Sequence, residues 1–236
     1  MEKVVYALWR DPGEPRERFN ARVLDVAPRM AEACAALRLN LQDDAVAASR
    51  SPRLASTSPQ MEAVVQAWVE AARDEVRKPL ESLLATASAR FAGWLACEST
   101  PLANTRHPPA PGRRTEGFSQ IAFLGRPPRL TWEAWREIWQ SSHTAVAIET
   151  QSTFEYVQNL IVRPLTYAAP SYAAIVEECF PPAAMTEESV YFDALEAPER
   201  LRAHQARMAE SCASFIDFDR IDCIPTSQFE IKRLRP

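Results

Sequence analysis

The sequence predicts an α+β protein built from two fused βαββαβ units that close into one intramolecular barrel. Three observations predict it. First, the chain repeats itself: slid by 116 positions, Lys3-Val4-Val5-Tyr6-Ala7-Leu8-Trp9-Arg10 falls on Ser119-Gln120-Ile121-Ala122-Phe123-Leu124-Gly125-Arg126. Without a gap, Phe19, Val23 and Met30 then fall on Trp135, Trp139 and Val146, and Leu41-Gln42-Asp43 on Val157-Gln158-Asn159. A period this long marks a duplicated domain rather than a solenoid. Second, each half reads strand, helix, strand, strand, helix, strand. Third, a lone βαββαβ unit has both helices on one sheet face and leaves the other bare. Two such units in one chain can cover each other.

The first unit spans 1–100. Residues 3–10 form a short apolar run with Val, Tyr and Trp, a strand pattern. Over 15–36, Phe19, Val23, Val26 and Met30 recur at three- and four-residue steps, a helical stripe. Residues 37–47 return to extended character, and 50–60, with Pro52, Pro59 and several Ser, read as a loop. Val64, Val65, Trp68 and Val69 mark a strand over 61–71. Pro79 can open a helix running to about residue 91, since its missing N–H costs nothing in a first turn. Residues 93–97 close the unit.

Residues 101–116 carry Pro101, Pro108, Pro109, Pro111 and Gly112, the composition of a linker. The second unit, 117–236, repeats the order. Residues 117–124 form a strand, and Thr131 is an N-cap for a helix over 132–150. Extended runs follow at 153–165 and 172–180. A helix spans 198–215 with Leu201, Met208 and Cys212 on one face, and a last strand region covers 219–231, broken by Pro225.

Composition sets the outer bounds. With 47% apolar and 25% charged residues, the chain has ample material for a core. A formal charge of −4 without a basic stripe excludes a phosphate backbone as partner. No apolar run approaches the roughly 20 residues that span a bilayer, and the start lacks the layout of a signal peptide. Five scattered cysteines without a CxxC pair argue for reduced thiols in a cytoplasmic protein, serving as small core residues, with Cys97 and Cys223 at corresponding late strands.

The segment Trp135-x-x-x-Trp139-x-x-x-His143, followed by Thr153-Phe154-Glu155-Tyr156-Val157-Gln158-Asn159, resembles the EthD family of the dimeric α/β-barrel superfamily. The closing run Phe218-Asp219-Arg220-Ile221 is similar to that family's final strand. The likeness is carried well by the second unit and only as a hydrophobic skeleton by the first. It implies ferredoxin-like units, a fused pair where most members are homodimers, and small-molecule chemistry in a cavity between sheet and helices. A further homodimer of the fused chain stays open.

Candidate site residues follow from position and chemistry. Trp135, Trp139 and His143 share one helix face, so the imidazole is turned toward the sheet, where it serves either as a general acid/base near pH 7 or as a core histidine satisfied by a backbone carbonyl. Its counterpart in the first unit is Ala27. Tyr156 can orient a substrate oxygen, and Arg163 can meet a carboxylate or enolate, the plainer readings being a strand-edge tyrosine and a surface ion pair. Trp135, Trp139 and Phe123 read as core, with Trp139 a pocket wall. In the doublet Glu177-Glu178 only one carboxylate can point inward, and which one is open. No GxGxxG, Walker or GxSxG motif and no metal-ligand pattern is present, so no cofactor and no metal is expected. The resemblance leaves a haem on His143 as an alternative, but no haem-family signature follows that residue. The expected function is cofactor-independent acid/base chemistry (cyclisation, dehydration or isomerisation) on a hydrophobic, aromatic or polyketide-like molecule. The rival is a carrier or sensor that binds such a ligand without turning it over.

Overall fold

Strand β1 (Glu2–Trp9) is buried at every position after its first, which identifies a strand covered on both faces rather than one. The reason is closure. The computed structural model describes residues 1–51 and 53–234. In its first half, β1 is followed by helix α1 (Arg16–Glu32), β2 (Ala36–Leu41), β3 (Ala63–Val69), α2 (Asp74–Ala87) and β4 (Arg90–Leu102). These strands lie in the order β2-β3-β1-β4, all antiparallel.

The second half begins with a two-residue strand, β5 (Arg113–Arg114), then β6 (Phe118–Leu124). Its first helical stretch has three parts: α3 (Trp132–Glu137), a π-helical segment (Ile138–His143) and α4 (Thr144–Thr150). Strands β7 (Glu155–Pro164) and β8 (Ala174–Phe180), the short α5 (Glu188–Tyr191), α6 (Pro198–Phe215) and β9 (Ile221–Lys232) complete it. The order β7-β8-β6-β9 repeats that of the first half. Pairing of β4 with β7 and of β2 with β9 then joins the two sheets edge to edge into a closed eight-stranded antiparallel barrel. Closure removes the exposed sheet edges that each unit would have alone.

The barrel interior is where the bare faces meet. At one end it is apolar, with Trp94, Phe123 and Tyr172 in mutual ring contact at 5.2–5.8 Å. Toward the other it is polar: Arg38 from β2 meets Glu177 at 3.1 Å and Glu230 at 3.2 Å. Asn40, Gln66 and Gln228 all donate to the Glu177 carboxylate at 2.7–2.8 Å. Outside the barrel, α1 and α2 cover the first unit's sheet, and the α3–π–α4 stretch and α6 cover the second's.

Several sequence expectations change. Helix α2 begins at Asp74, so Pro79 lies inside it; Asp74 and Glu75 supply the acidic first turn that a helix start favours. Residues 101–116 are not a free linker at either end. Strand β4 runs on to Leu102, and β5 pairs with β9. Gly117, just ahead of β6, has φ +81°, and a Cβ there would sit 1.8 Å from the carbonyl oxygen of Phe180. Pro225 does not break the last strand: β9 pairs with β6 up to Thr226 and with β2 from Ser227, so the proline sits where the partner changes. Cys97 is exposed while Cys223 is buried, so the two do not share a packing role.

Candidate active site

In the second unit the space between sheet and helices is hollow. A cavity of about 330 Å³ is walled by the sheet residues Gln120, Tyr156, Val176, Glu178 and Cys223. Opposite them stand Trp139, His143, Met208, Cys212 and Phe215 from the helices, with Tyr191 and Phe192 from α5 and the turn after it at one side. Phe218, more than half exposed, stands at its rim.

The floor is a row set by strand register. Glu178 of β8 is paired with Gln120 on β6 and with Tyr156 on β7, and directly opposed residues share a sheet face. Glu177, its neighbour in sequence, faces the barrel interior. Both are buried, yet their surroundings differ completely. Burial alone would raise the Glu177 pKa, but Arg38 and the amides of Gln228, Gln66 and Asn40 outweigh it and hold the carboxyl well below its usual range. Glu178 has no such partners. Burial pushes its pKa up to about 7, and its Oε1 has no hydrogen bond.

The roof is set by the π-helical segment. The Thr144 N–H donates to the carbonyl of Trp139, five residues back, and the Thr144 hydroxyl donates to the same oxygen at 2.9 Å. Gln158 of β7 donates to Thr144 Oγ1 at 2.6 Å, tying this turn to the sheet. The wider π turn lets Trp135, Trp139 and His143, four residues apart, stay on the inner face. Such single turns recur at functional sites. His143 Nδ1 lies 2.9 Å from Ser211 Oγ on α6, and the ring packs 4.5 Å from that of Phe215. Burial lowers the imidazole pKa to about 4, so it is neutral across the physiological range rather than titrating near pH 7. The hydrogen bond goes to a serine hydroxyl, not a backbone carbonyl. Tyr156 is fully enclosed, and burial together with the nearby Glu178 charge keeps its phenol protonated. Burial likewise pushes the Cys212 thiol up to about 12.

Of the six residues singled out by sequence, the structure brings His143, Tyr156 and Trp139 to the cavity. It does not bring the other three. Trp135 is buried behind Trp139, its ring 5.2 Å away. Phe123 points from the opposite face of β6 into the barrel interior. Arg163 is exposed near the end of β7, its guanidinium 3.4 Å from the carbonyl of Ala72 on the first unit. Sequence reasoning left Glu178 undecided and missed Gln120 and Gln151. Gln151, at the end of α4, carries a buried Oε1 without a partner, as does the Trp139 Nε1. An apolar cavity whose walls include Glu178, Trp139 and Gln151 can hold a planar molecule. Among the described residues no group of His, Cys, Asp and Glu is placed to hold a metal ion, and no helix is long and apolar enough to cross a membrane.

No family profile matches the chain, and no curated protein matches it in sequence. Solved structures do match its shape. An anthrone oxidase-like protein superposes with a TM-score of 0.53 at 10% identity, over 99% of this chain and 94% of the other. A "putative monooxygenase" from Lactobacillus acidophilus NCFM gives 0.50 at 8% identity, over 98% and 96% of the two chains. One of the same description from Fusobacterium nucleatum gives 0.50 at 9%, over 98% and 92%. At these identities the likeness shows the fold, the dimeric α/β barrel over the full chain, and nothing finer.

Proposed function

We propose that the cavity of the second unit binds a hydrophobic, aromatic small molecule and moves a proton on it without a cofactor, an EthD-like activity housed in one half of a fused barrel. The observation that carries this is the Glu178 carboxyl: buried, unpaired and held near pH 7 in an otherwise apolar space. In this reading ionised Glu178 is the general base that takes a proton from a carbon next to a carbonyl. The electron pair left on the substrate spreads onto that carbonyl oxygen. Tyr156 and Trp139, both in the cavity wall, are assigned as the donors to the resulting oxyanion. Neutral His143, fixed by Ser211, orients the ring and can relay the proton. Return of the proton at another carbon gives isomerisation, expulsion of hydroxide gives dehydration, and attack on a second carbonyl gives cyclisation.

A second reading is favoured by the names of the fold neighbours. The same carbanion can hand its electrons to O2, converting a CH2 to a carbonyl with release of water. Both readings start with the same proton abstraction. The test is therefore deuterium exchange at C1 of 2-tetralone in D2O, followed by mass spectrometry. The protein is expected to accelerate exchange, with a rate that rises with pH and levels above about 7. Glu178→Gln should lose on the order of 100-fold or more, the usual worth of a positioned base. Binding of 2-tetralone with no acceleration would favour the carrier. O2 consumption in step with exchange would select the oxygenase reading.

A further inference from the structure

In the first unit the row of Val4, Leu37 and Ala67 is packed under fully buried side chains of α1 and α2, yet that unit reaches into the second unit's site. The long connection between β2 and β3 leaves its own unit and crosses the end of β9. There Leu54 and Cys223 exchange backbone hydrogen bonds in both directions, at 3.2 and 2.8 Å, and the Leu54 side chain becomes part of the cavity wall. One residue earlier on β9, the buried Asp222 faces the other way and gathers the strap that follows. Its carboxylate accepts from the Ser56 and Thr57 hydroxyls, the Thr57 N–H and the Gln60 amide, all at 2.6–3.3 Å, and from the Tyr172 hydroxyl at 2.6 Å. A carboxylate with five donors is a firm anchor. On the near side of the strap the Arg50 N–H donates to the Met185 carbonyl at 2.7 Å, and Ser51 donates to Gln120, the floor residue beside Glu178.

Resting on the proposed pocket, we infer that Leu54 is a specificity-determining residue supplied in cis by the first unit, and that Asp222 is the positioning residue that holds it there. The first unit's contribution to the chemistry is then a wall, not a reaction centre. The cavity is closed on that side by a leucine that the second unit lacks, so the size of the aromatic system it accepts is set from across the unit boundary. Leu54 is only partly buried and lies in a loop, so its substitution leaves the barrel core untouched. Asp222 touches none of the cavity, and any effect it has on ligand choice must pass through the strap.

The experiment compares binding of 2-naphthol and of 2-hydroxyanthracene, followed by their own fluorescence, to the intact protein and its variants. Leu54→Ala should raise the preference for the three-ring probe by about tenfold. Leu54→Trp should weaken both probes by tenfold or more, with 2-hydroxyanthracene hit harder. Asp222→Asn should shift the preference in the same direction as Leu54→Ala, whereas a residue that merely stabilised the fold would weaken both probes equally. Amide exchange at Cys223, whose N–H is held by Leu54, should speed up in Asp222→Asn and report release of the strap directly. Unchanged preference in Leu54→Ala and Leu54→Trp, with the intact protein binding a probe, would overturn the assignment while leaving the pocket standing. If no variant binds either probe, Leu54→Ala included, the pocket reading itself fails and this inference with it.

Discussion

The two helix–sheet layers of this molecule share a strand order and differ in what fills them. In the first unit Ala67 of β3 is paired with Val4 and with Leu37. In the second the same positions are held by Glu178, Gln120 and Tyr156. Over the apolar row lie Phe19, Val23 and Met30 of α1 with Leu80 and Leu84 of α2, all with no exposed surface. Over the polar row lies a cavity. One topology can thus be either a packed layer or a hollow one, and the choice is made by a handful of side chains. Interior packing leaves few voids larger than a water molecule, so a hollow of this size beside an unpaired carboxyl runs against stability. The first layer shows what the second would look like if stability alone decided.

Swapping features between the layers sharpens that contrast. The largest effect is expected from Ala67→Glu, which places a carboxyl in the filled layer, where neither space nor a partner awaits it. The cost should be about 4 kcal/mol or more, read as a collapse of the urea midpoint. A loss under about 1 kcal/mol would mean the first layer is hollow too.

Glu178→Gln should do the opposite. A folded-state pKa near 7, above the ordinary 4.5, means the folded chain holds this proton more tightly than the unfolded one. That contribution is fully present below about pH 4.5 and is lost as pH rises through 7, a fall of roughly 3 kcal/mol by pH 8. The glutamine variant carries no such fall, so it should be at least as stable as the unaltered protein at pH 8 and show a flatter profile between pH 4.5 and 8. Urea midpoints across that range measure it.

A smaller effect, at the other end of the pH scale, is expected for His143→Phe. Here the folded pKa lies below the ordinary 6.5, so stability is full above 6.5 and drains away as pH falls toward 4. The variant should lose less stability than the unaltered protein between pH 6.5 and 4, by about 2.5 kcal/mol. Equal slopes for the two would place the imidazole in solvent.

How far the sequence discloses this arrangement depends on the element. The β1–β6 match and the α6 stripe rest on side-chain periodicity, and the structure has those elements within a residue or two. Four-residue spacing from Trp135 to His143 places the imidazole inside, but nothing in those residues announces the π turn that keeps them aligned. The Glu177-Glu178 doublet is ambiguous in sequence for a physical reason. Alternation along a strand separates an inner face from a solvent face only when one face is wet, and in a closed barrel roofed by helices both faces are buried. The strap is hidden for a different reason: Leu54 acts on a neighbour more than 160 residues away, and no local pattern encodes that.

Everything turns on whether the Glu178 carboxyl stands alone in its cavity. Carbon-13 NMR of the protein labelled at glutamate side-chain carboxyls, titrated from pH 4 to 9 and compared with Glu178→Gln, reads this directly. One resonance is expected to titrate near 7 and to disappear in the variant. A Glu178 signal titrating between 4 and 5, like a solvated carboxylate, would contradict it.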